Sequence, residues 1–586
     1  MTRSCQNCRQ NFEITEDDMR FYDKIMVPPP TFCPSCRDQR RWSFRNERNL
    51  YHRRCDLCYA DIISMYTPEK QHTIYCPKCW YSDKWDSLQY GRDYNFSRPF
   101  LEQFNALMLA VPRLALVQEN TINSPWVNYE RGAKNCYLCV GGEDNENCFY
   151  TTYGIKSKEV IDSFWAIQCQ LCYELINCSN CYQTFFSHWC FNCYDTWFSY
   201  DCRNCNSVFG SVGLRNKQYY VFNEPYSKEE YEKKILEFFP LSLVKKEEIL
   251  NKVKYLKNRL PQRDLISKSL NSQGNYLSEC KNCKNCWNVE TAEDSAFNHI
   301  TGYVKDCYDI SSVGWPELCY ECYSGVHTYL CKFSSTTLVG SSVEYCDSSG
   351  NVQDSFGCVG LRNKKYCILN KQYSKEDYFE LIPKIRKHMD EMPYKDRKGR
   401  NYKYGEFFPI EFSTFSYNES ASQQYYSLTK EQAIEQGYSW KDPEPRNYQI
   451  QIPNDQLPDH IKDVKDDIVG QVIECAHQGK CNEQCTEAYK IIPQELQFLR
   501  KMNLPLPRLC PNCRHYQRIK QRNPLKLWHR KCQCAGETSE NKIYKNTADH
   551  IYHKKDEHCP NEFETTYSPE RKEIVYCEKC YLAEVV

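Results

Sequence analysis

The eight cysteines between Cys5 and Cys79 fall into four C-x2-C pairs: Cys5/Cys8, Cys33/Cys36, Cys55/Cys58 and Cys76/Cys79. No other feature restricts the fold so strongly. A C-x2-C pair sets two thiolates on one tight turn, and two such turns close a tetrahedral S4 site around zinc. Four pairs predict two zincs. The simplest assignment joins the first two pairs in one site and the last two in another, and interleaved pairing satisfies the same count. Unmetallated buried thiols would explain neither the paired spacing nor its recurrence.

The pattern recurs at the other end of the chain as Cys481/Cys485, Cys510/Cys513, Cys532/Cys534 and Cys577/Cys580. The spacer from Cys8 to Cys33 equals that from Cys485 to Cys510, and the spacer from Cys36 to Cys55 equals that from Cys513 to Cys532. Pro34, Arg37, Arg41, Arg45, Asn46, Leu50, His52 and Arg53 recur as Pro511, Arg514, Arg518, Arg522, Asn523, Leu527, His529 and Arg530. This is an internal duplication. The second copy departs from the first in its third pair, a C-x-C, which is a poorer chelating turn. An insertion carrying His550, His553, His558 and Cys559 follows. The fourth site is therefore degenerate or borrows a His or Cys559, and Cys475 and His477 are alternatives to Cys481 in the third. The total expected is three to four zincs.

The segment from Cys5 through Phe12-Glu-Ile, Thr15, Phe21-Tyr22 and Phe32-Cys33-Pro-Ser-Cys36-Arg37 resembles the small zinc-ribbon domains of bacteria and plastids. The resemblance covers that N-terminal stretch, and more weakly the C-terminal copy. It implies zinc binding by Cys5, Cys8, Cys33 and Cys36, and it implies no reaction. The whole chain resembles large uncharacterised cysteine-rich bacterial proteins.

Between the zinc modules the sequence steps by twelve. Cys178-x-Asn-Cys181, Cys190-x-Asn-Cys193 and Cys202-x-Asn-Cys205 are followed later by Cys283/Cys286, Ser295/Asn298, Cys307/Ile310, Cys319/Cys322, Cys331/Ser334, Val343/Cys346 and Ser355/Cys358. Small residues in fixed columns suit the stacked coils of a narrow parallel β-solenoid. A helix is disfavoured by the absence of a 3.6-residue apolar stripe. One coil is a single twelve-residue unit, or two such units per turn. This region is duplicated too: Val212–Tyr219 with Asn223 and Tyr226–Tyr231 recurs as Val359–Tyr366 with Asn370 and Tyr373–Tyr378. Ser227 with Glu230 reads as a capping box opening a helix that covers the last coil. The repeat cysteines read foremost as small packing residues, since the second copy exchanges many for Ser, Ile, Val or Asn. Metal binding by Cys169/Cys172, Cys178/Cys181, Cys190/Cys193 and Cys202/Cys205, and redox cross-linking, are the alternatives.

The expected architecture is a mostly β multidomain chain with two twelve-residue β-solenoid segments and capping helices. Treble-clef or zinc-ribbon-like modules flank them. The divisions are 1–85 zinc module, 86–127 helical connector, 128–235 first solenoid, 236–274 helical linker, 275–385 second solenoid, 386–470 connector rich in Tyr, Pro and charge, and 471–586 zinc module.

Function is bounded mainly by charge and by missing motifs. The chain carries 76 basic and 76 acidic side chains, so a global polyelectrolyte argument for nucleic acid fails and only local patches remain. The zinc modules supply such patches. Arg37, Arg41, Arg45, Arg53 and Arg54 stand near Trp42, Phe44 and Tyr51, and Arg514, Arg518, Arg522, Arg530 and Lys531 stand near Trp528. Arginine beside aromatic side chains suits RNA or single strands. The plainer use is a solvated, ion-paired face. The sequence holds no phosphate-cradling Gly loop, Gly-x-Ser-x-Gly or His-Glu-x-x-His. Thirty-nine cysteines, an odd number, and an opening without a leader pattern predict a reducing cytoplasm. No apolar stretch is long enough to span a bilayer. The leading expectation is a non-enzymatic zinc scaffold that binds RNA or a ribonucleoprotein. A protein-interaction scaffold and a metal-storage or thiol-redox protein are the alternatives.

Overall fold

The computed structural model describes residues 1–312, 319–323, 325–329, 332–333, 337–443 and 448–585. The repeat expected at Cys331/Ser334 lies outside them. The chain forms two compact units, each discontinuous in sequence. One comprises Met1–Val117 with Ile266–Asp442, and the other Gln118–Leu265 with Pro443–Val586. Each unit therefore holds one terminal cysteine module and the twelve-residue repeats from the other half of the chain.

The repeats are parallel ladders. Phe164 pairs with Thr152 on one side and Ile176 on the other. Tyr182, Tyr194, Asn206 and Gln218 continue a neighbouring sheet in the same twelve-residue register. In the second ladder Gly274 pairs with Cys286, Trp287 with His299 and Thr337 with Ser349. One step is shorter by a residue, Ile266 pairing with Leu277. Of the two periods left open by sequence, strand pairing thus follows the single unit.

A second period lies inside the first. From Tyr129 to Phe222 every third residue has positive φ. This region is costly for most L-residues but accessible to Gly, Asn and Asp. Asn135, Asn180, Asn192 and Asn204 occupy it, each followed by a buried cysteine: Cys136, Cys181, Cys193 or Cys205. The Cys-x-Asn-Cys motif is therefore a backbone signal. The Asn side chains also stack, Asn192 donating to Asn204 and Asn204 to Asn216, both at 3.0 Å.

Each ladder has two apolar faces. The inward columns are small, such as Cys169, Cys172, Cys178, Cys181, Val160 and Ala166 in the first ladder and Cys280, Cys283, Val289 and Ala292 in the second. The outward faces are aromatic. Phe185 stacks on Trp197 at 3.9 Å and Phe186 on Phe198 at 4.6 Å. These faces join the apolar side of the cysteine module in the same unit: Phe149, Tyr173 and Phe185 cluster with Leu496, Phe498 and Leu499, and Tyr308 and Tyr320 cluster with Phe21 and Tyr22.

Both ladders end alike. The Asn223 side chain accepts from Val212 N and donates to Val212 O, and Asn370 does the same to Val359. One amide side chain thus supplies the pairing that a further strand would have given. The helix Lys228–Leu236 then begins with the expected Ser227/Glu230 capping box, and Lys375–Glu391 begins at Ser374. Helices Phe100–Ala110 and Leu243–Arg259 lie in the two stretches expected to be helical, and a short helix, Lys430–Gln436, lies in the Tyr- and Pro-rich stretch. Among the described residues no helix is long and apolar enough to cross a membrane.

Candidate metal centres

Every cysteine module is built from the same two parts. A short antiparallel hairpin presents one pair of thiols in its turn, and a helix presents the other pair at its N-terminus. Strands Thr2–Ser4 and Asn11–Glu13 carry Cys5 and Cys8 between them, and Cys33 is the N-cap of helix Pro34–Ser43. Strands Tyr51–Arg54 and Asp61–Ser64 carry Cys55 and Cys58, and Cys76 caps Pro77–Trp80. Proline at the first helical position costs no hydrogen bond there, and the helix N-terminus favours the thiolate form.

These parts bring together Cys5, Cys8, Cys33 and Cys36, and separately Cys55, Cys58, Cys76 and Cys79. The pairing is sequential. Zn–S bonds of about 2.3 Å put neighbouring sulfurs of a tetrahedron about 3.8 Å apart. Cys8 Sγ lies 3.8 Å from Cys33 Sγ, and Cys58 Sγ 3.9 Å from Cys76 Sγ. Burial alone would raise the Cys55 thiol, but the backbone amides of Cys76, Cys58 and Leu57 bring it down to about 7.

In the C-terminal module the two cysteine groups take the alternatives Cys475 and Cys559. Its third group is Cys475, Cys485, Cys510 and Cys513, with Cys475 in the place expected for Cys481. Strands Ile473–Glu474 and Ala488–Tyr489 pair on either side of Cys475 and Cys485. Cys475 N bonds Glu487 O as Cys5 N bonds Gln10 O. The turn is the same as in the first copy, but with extra residues inserted between its two thiols. Cys481 lies in that insertion, its Sγ 3.7 Å from Cys513 Sγ. His477 faces Glu483 instead, at 3.1 Å.

The fourth group is Cys532, Cys559, Cys577 and Cys580. Here Cys559 stands where Cys534 was expected, because a second insertion opens the turn between Cys532 and Cys559. Cys532 N bonds Asn561 O as Cys55 N bonds Ala60 O, and Cys559 Sγ lies 3.8 Å from Cys577 Sγ. Cys534 joins a different set, with His550, His553 and Cys580. Sequence could have shown this: Cys559 precedes the strand residue Glu562 by the same three positions that separate Cys58 from Asp61.

The basic residues expected to meet phosphate are the larger correction. Arg37, Arg41, Arg45, Arg514 and Arg518 are at most 4% exposed. Arg37 and Arg41 grip Asp309 at 2.7 and 3.2 Å, and Arg40 holds Glu321 at 2.5 Å. Arg514 and Arg518 grip Asp162, and Arg514 also pairs with Glu495 at 2.9 Å. The two aspartates occupy equivalent places in the two ladders, so the duplicated arginines serve duplicated internal partners. Arg45 pairs with Glu47 at 2.6 Å. Arg53 bonds the carbonyls of Thr67 and His72, Arg530 bonds that of Ser568, and Arg522 lies over Phe164. Only Arg54 and Lys531 of the ten are exposed.

The ladder thiols have another chemistry. Cys178 Sγ reaches Ile176 O and Ser187 O, and Cys190 Sγ reaches His188 O and Ser199 O. Ser157 and Thr151 make the same two contacts through hydroxyls. Burial pushes the thiols of Cys169 and Cys190 well up, and that of Cys178 to about 11. These three serve as small neutral donors, whereas hydrogen bonds from neighbouring thiols lower Cys136 and Cys283 to about 4.

No family model matches this sequence, and no curated protein matches it.

Proposed function

We propose that the protein is a zinc-stabilised, non-enzymatic binding scaffold. In this reading each ladder is wound as a narrow β-solenoid of twelve-residue coils, and each unit is completed by a treble-clef-like zinc module. The parallel register and small inward columns support the winding, and the hairpin-plus-helix cysteine turns support the module type. The N-terminal resemblance to zinc-ribbon domains belongs to the same proposal, as does a reducing cytoplasm, which suits cysteines that form no disulfide.

One observation carries the reading: the recurrent arginines of the zinc modules are committed to buried aspartates of the ladders. The modules thereby act as fastenings. It also favours protein partners over RNA, since repeat architectures offer extended surfaces while only Arg54 and Lys531 remain as exposed cations of the expected patch. Storage or redox use of the ladder thiols is disfavoured by their burial and their bonds to backbone carbonyls.

The test is graded chelation of the intact protein, following zinc release and protease resistance together. Structural zinc binding is folding free energy, so the two curves coincide for a scaffold. Release of zinc with protease resistance intact would overturn the reading in favour of storage. RNA retention that falls in the Arg54→Glu/Lys531→Glu variant would overturn the preference for protein partners.

A further inference from the structure

The insertion that splits the last cysteine turn does more than displace Cys534. It folds back so that Cys534, His550 and His553 meet Cys580, a residue already shared with Cys532, Cys559 and Cys577. The donor atoms lie close together. Cys534 Sγ is 3.3 Å from His550 Nδ1 and 3.5 Å from His553 Nε2. Cys580 Sγ is 3.4 Å from His553 Nε2, and the two ring nitrogens are 3.2 Å apart. Zinc bonds of about 2.0 Å to nitrogen and 2.3 Å to sulfur give tetrahedral edges of about 3.3 Å between nitrogens and about 3.5 Å between nitrogen and sulfur.

The partners of the far ring nitrogens fix which tautomer each ring holds when it is neutral. His553 Nδ1 faces the carbonyl of Lys554 at 3.0 Å, which accepts only, so Nδ1 carries the proton and Nε2 presents a lone pair. His550 Nε2 faces the Glu584 carboxylate at 2.8 Å, so its Nδ1 presents a lone pair as well. In neutral rings, two lone pairs at that separation repel unless a cation lies between them, and the neutral ring is the form that binds metal. The carboxylate–histidine arrangement at Glu584 is the usual outer support of a metal-bound imidazole. That carboxylate is itself held by Tyr544 and by the amide and hydroxyl of Thr547. Asn546 donates to Cys534 Sγ at 3.2 Å.

We propose that this corner of the protein is a two-zinc cluster bridged by the Cys580 thiolate. One zinc takes Cys532, Cys559, Cys577 and Cys580, and the other takes Cys534, His550, His553 and Cys580. Charge favours filling both. A lone zinc held by four thiolates has a net charge of −2, whereas two zincs held by five thiolates and two neutral imidazoles have −1, which costs less to bury. Neither zinc keeps an open position, so the cluster ties the insertion to the module and offers no seat for substrate.

The proposal rests on the structural-zinc reading above, and zinc counting on the intact chain by native mass spectrometry separates the two. The wild type binds five zincs, one for each cysteine group and one for the Cys534 set. His553→Ala binds four, His553→Cys restores five, and Cys580→Ser binds three because both members lose a ligand. Four zincs in the wild type, unchanged in His553→Ala, would overturn the cluster and leave the structural reading standing. Loss of only one zinc in Cys580→Ser would overturn the bridge. A chain without zinc would sink both readings.

Discussion

Asp162 and Asp309 sit in the left-handed backbone region, where their residue type is tolerated, and each is fully buried beneath two arginines. One side chain thus meets a backbone demand and a docking demand. Removing the charge of a buried pair leaves uncompensated cations, a loss of about 3–5 kcal/mol. Asp162→Asn keeps the backbone preference, so urea unfolding of that variant isolates the electrostatic part and is expected to fall in this range. Asp162→Asn combined with Arg514→Met, Arg518→Met and Glu495→Gln removes every charge of the cluster while keeping a residue suited to the left-handed backbone, and should recover most of the stability. At this scale the sequence carried the right residues and an incomplete purpose. Arg37, Arg41, Arg514 and Arg518 recur at fixed positions, but recurrence alone does not say whether the shared partner is external or internal. Asn180, Asn192 and Asn204 were visible as a column, yet their role as left-handed residues follows only from a backbone period of three inside the period of twelve.

Elements in this protein are closed by single side chains. Asn223 and Asn370 complete the last rung of each ladder by standing in for a strand. Asn223→Ala therefore leaves the amide and carbonyl of Val212 unpaired at the ladder end. An unmet buried group costs about 1–3 kcal/mol, and hydrogen exchange at Val212 should rise selectively while the middle of the ladder stays protected. The cysteine turns show where element-level reading succeeds and fails. Cys5/Cys8, Cys33/Cys36, Cys55/Cys58 and Cys76/Cys79 are contiguous turns, so spacing alone located both sites. In the second copy the turns starting at Cys475 and Cys532 are interrupted by insertions. Spacing then picks the nearer cysteines, Cys481 and Cys534. What persists through an insertion is the hairpin on either side, because strand pairing fixes which residues face each other.

At the scale of the molecule, each unit draws on two distant stretches of chain. The N-terminal cysteine module belongs with Ile266–Asp442, not with the repeats that follow it directly. Cys33→Ser removes a ligand from a site of the type that contributes on the order of 10–16 kcal/mol in zinc-finger peptides. The protection lost in hydrogen exchange should therefore appear in residues 266–385, with residues 128–235 retaining theirs. Loss confined to 128–235 would contradict the unit assignment. The repeats and modules were each discernible in the sequence, but their partnership was not, since duplicated copies are equally compatible with either match and only specific contacts such as Arg37 with Asp309 distinguish them.

The interleaving has a history in time as well as in space. During synthesis the first ladder is complete before any of its own cysteine module has been made, and the whole of Ile266–Asp442 must be translated in between. At about 5–20 residues per second that interval is about 10–35 s. Throughout it, Phe149, Tyr173 and Phe185 lack the surface that finally covers them, and Asp162 lacks its arginines. The nascent chain thus carries an adhesive, unneutralised face through that interval, and refolding factors that hold exposed apolar surface at the ribosome are expected to raise its yield.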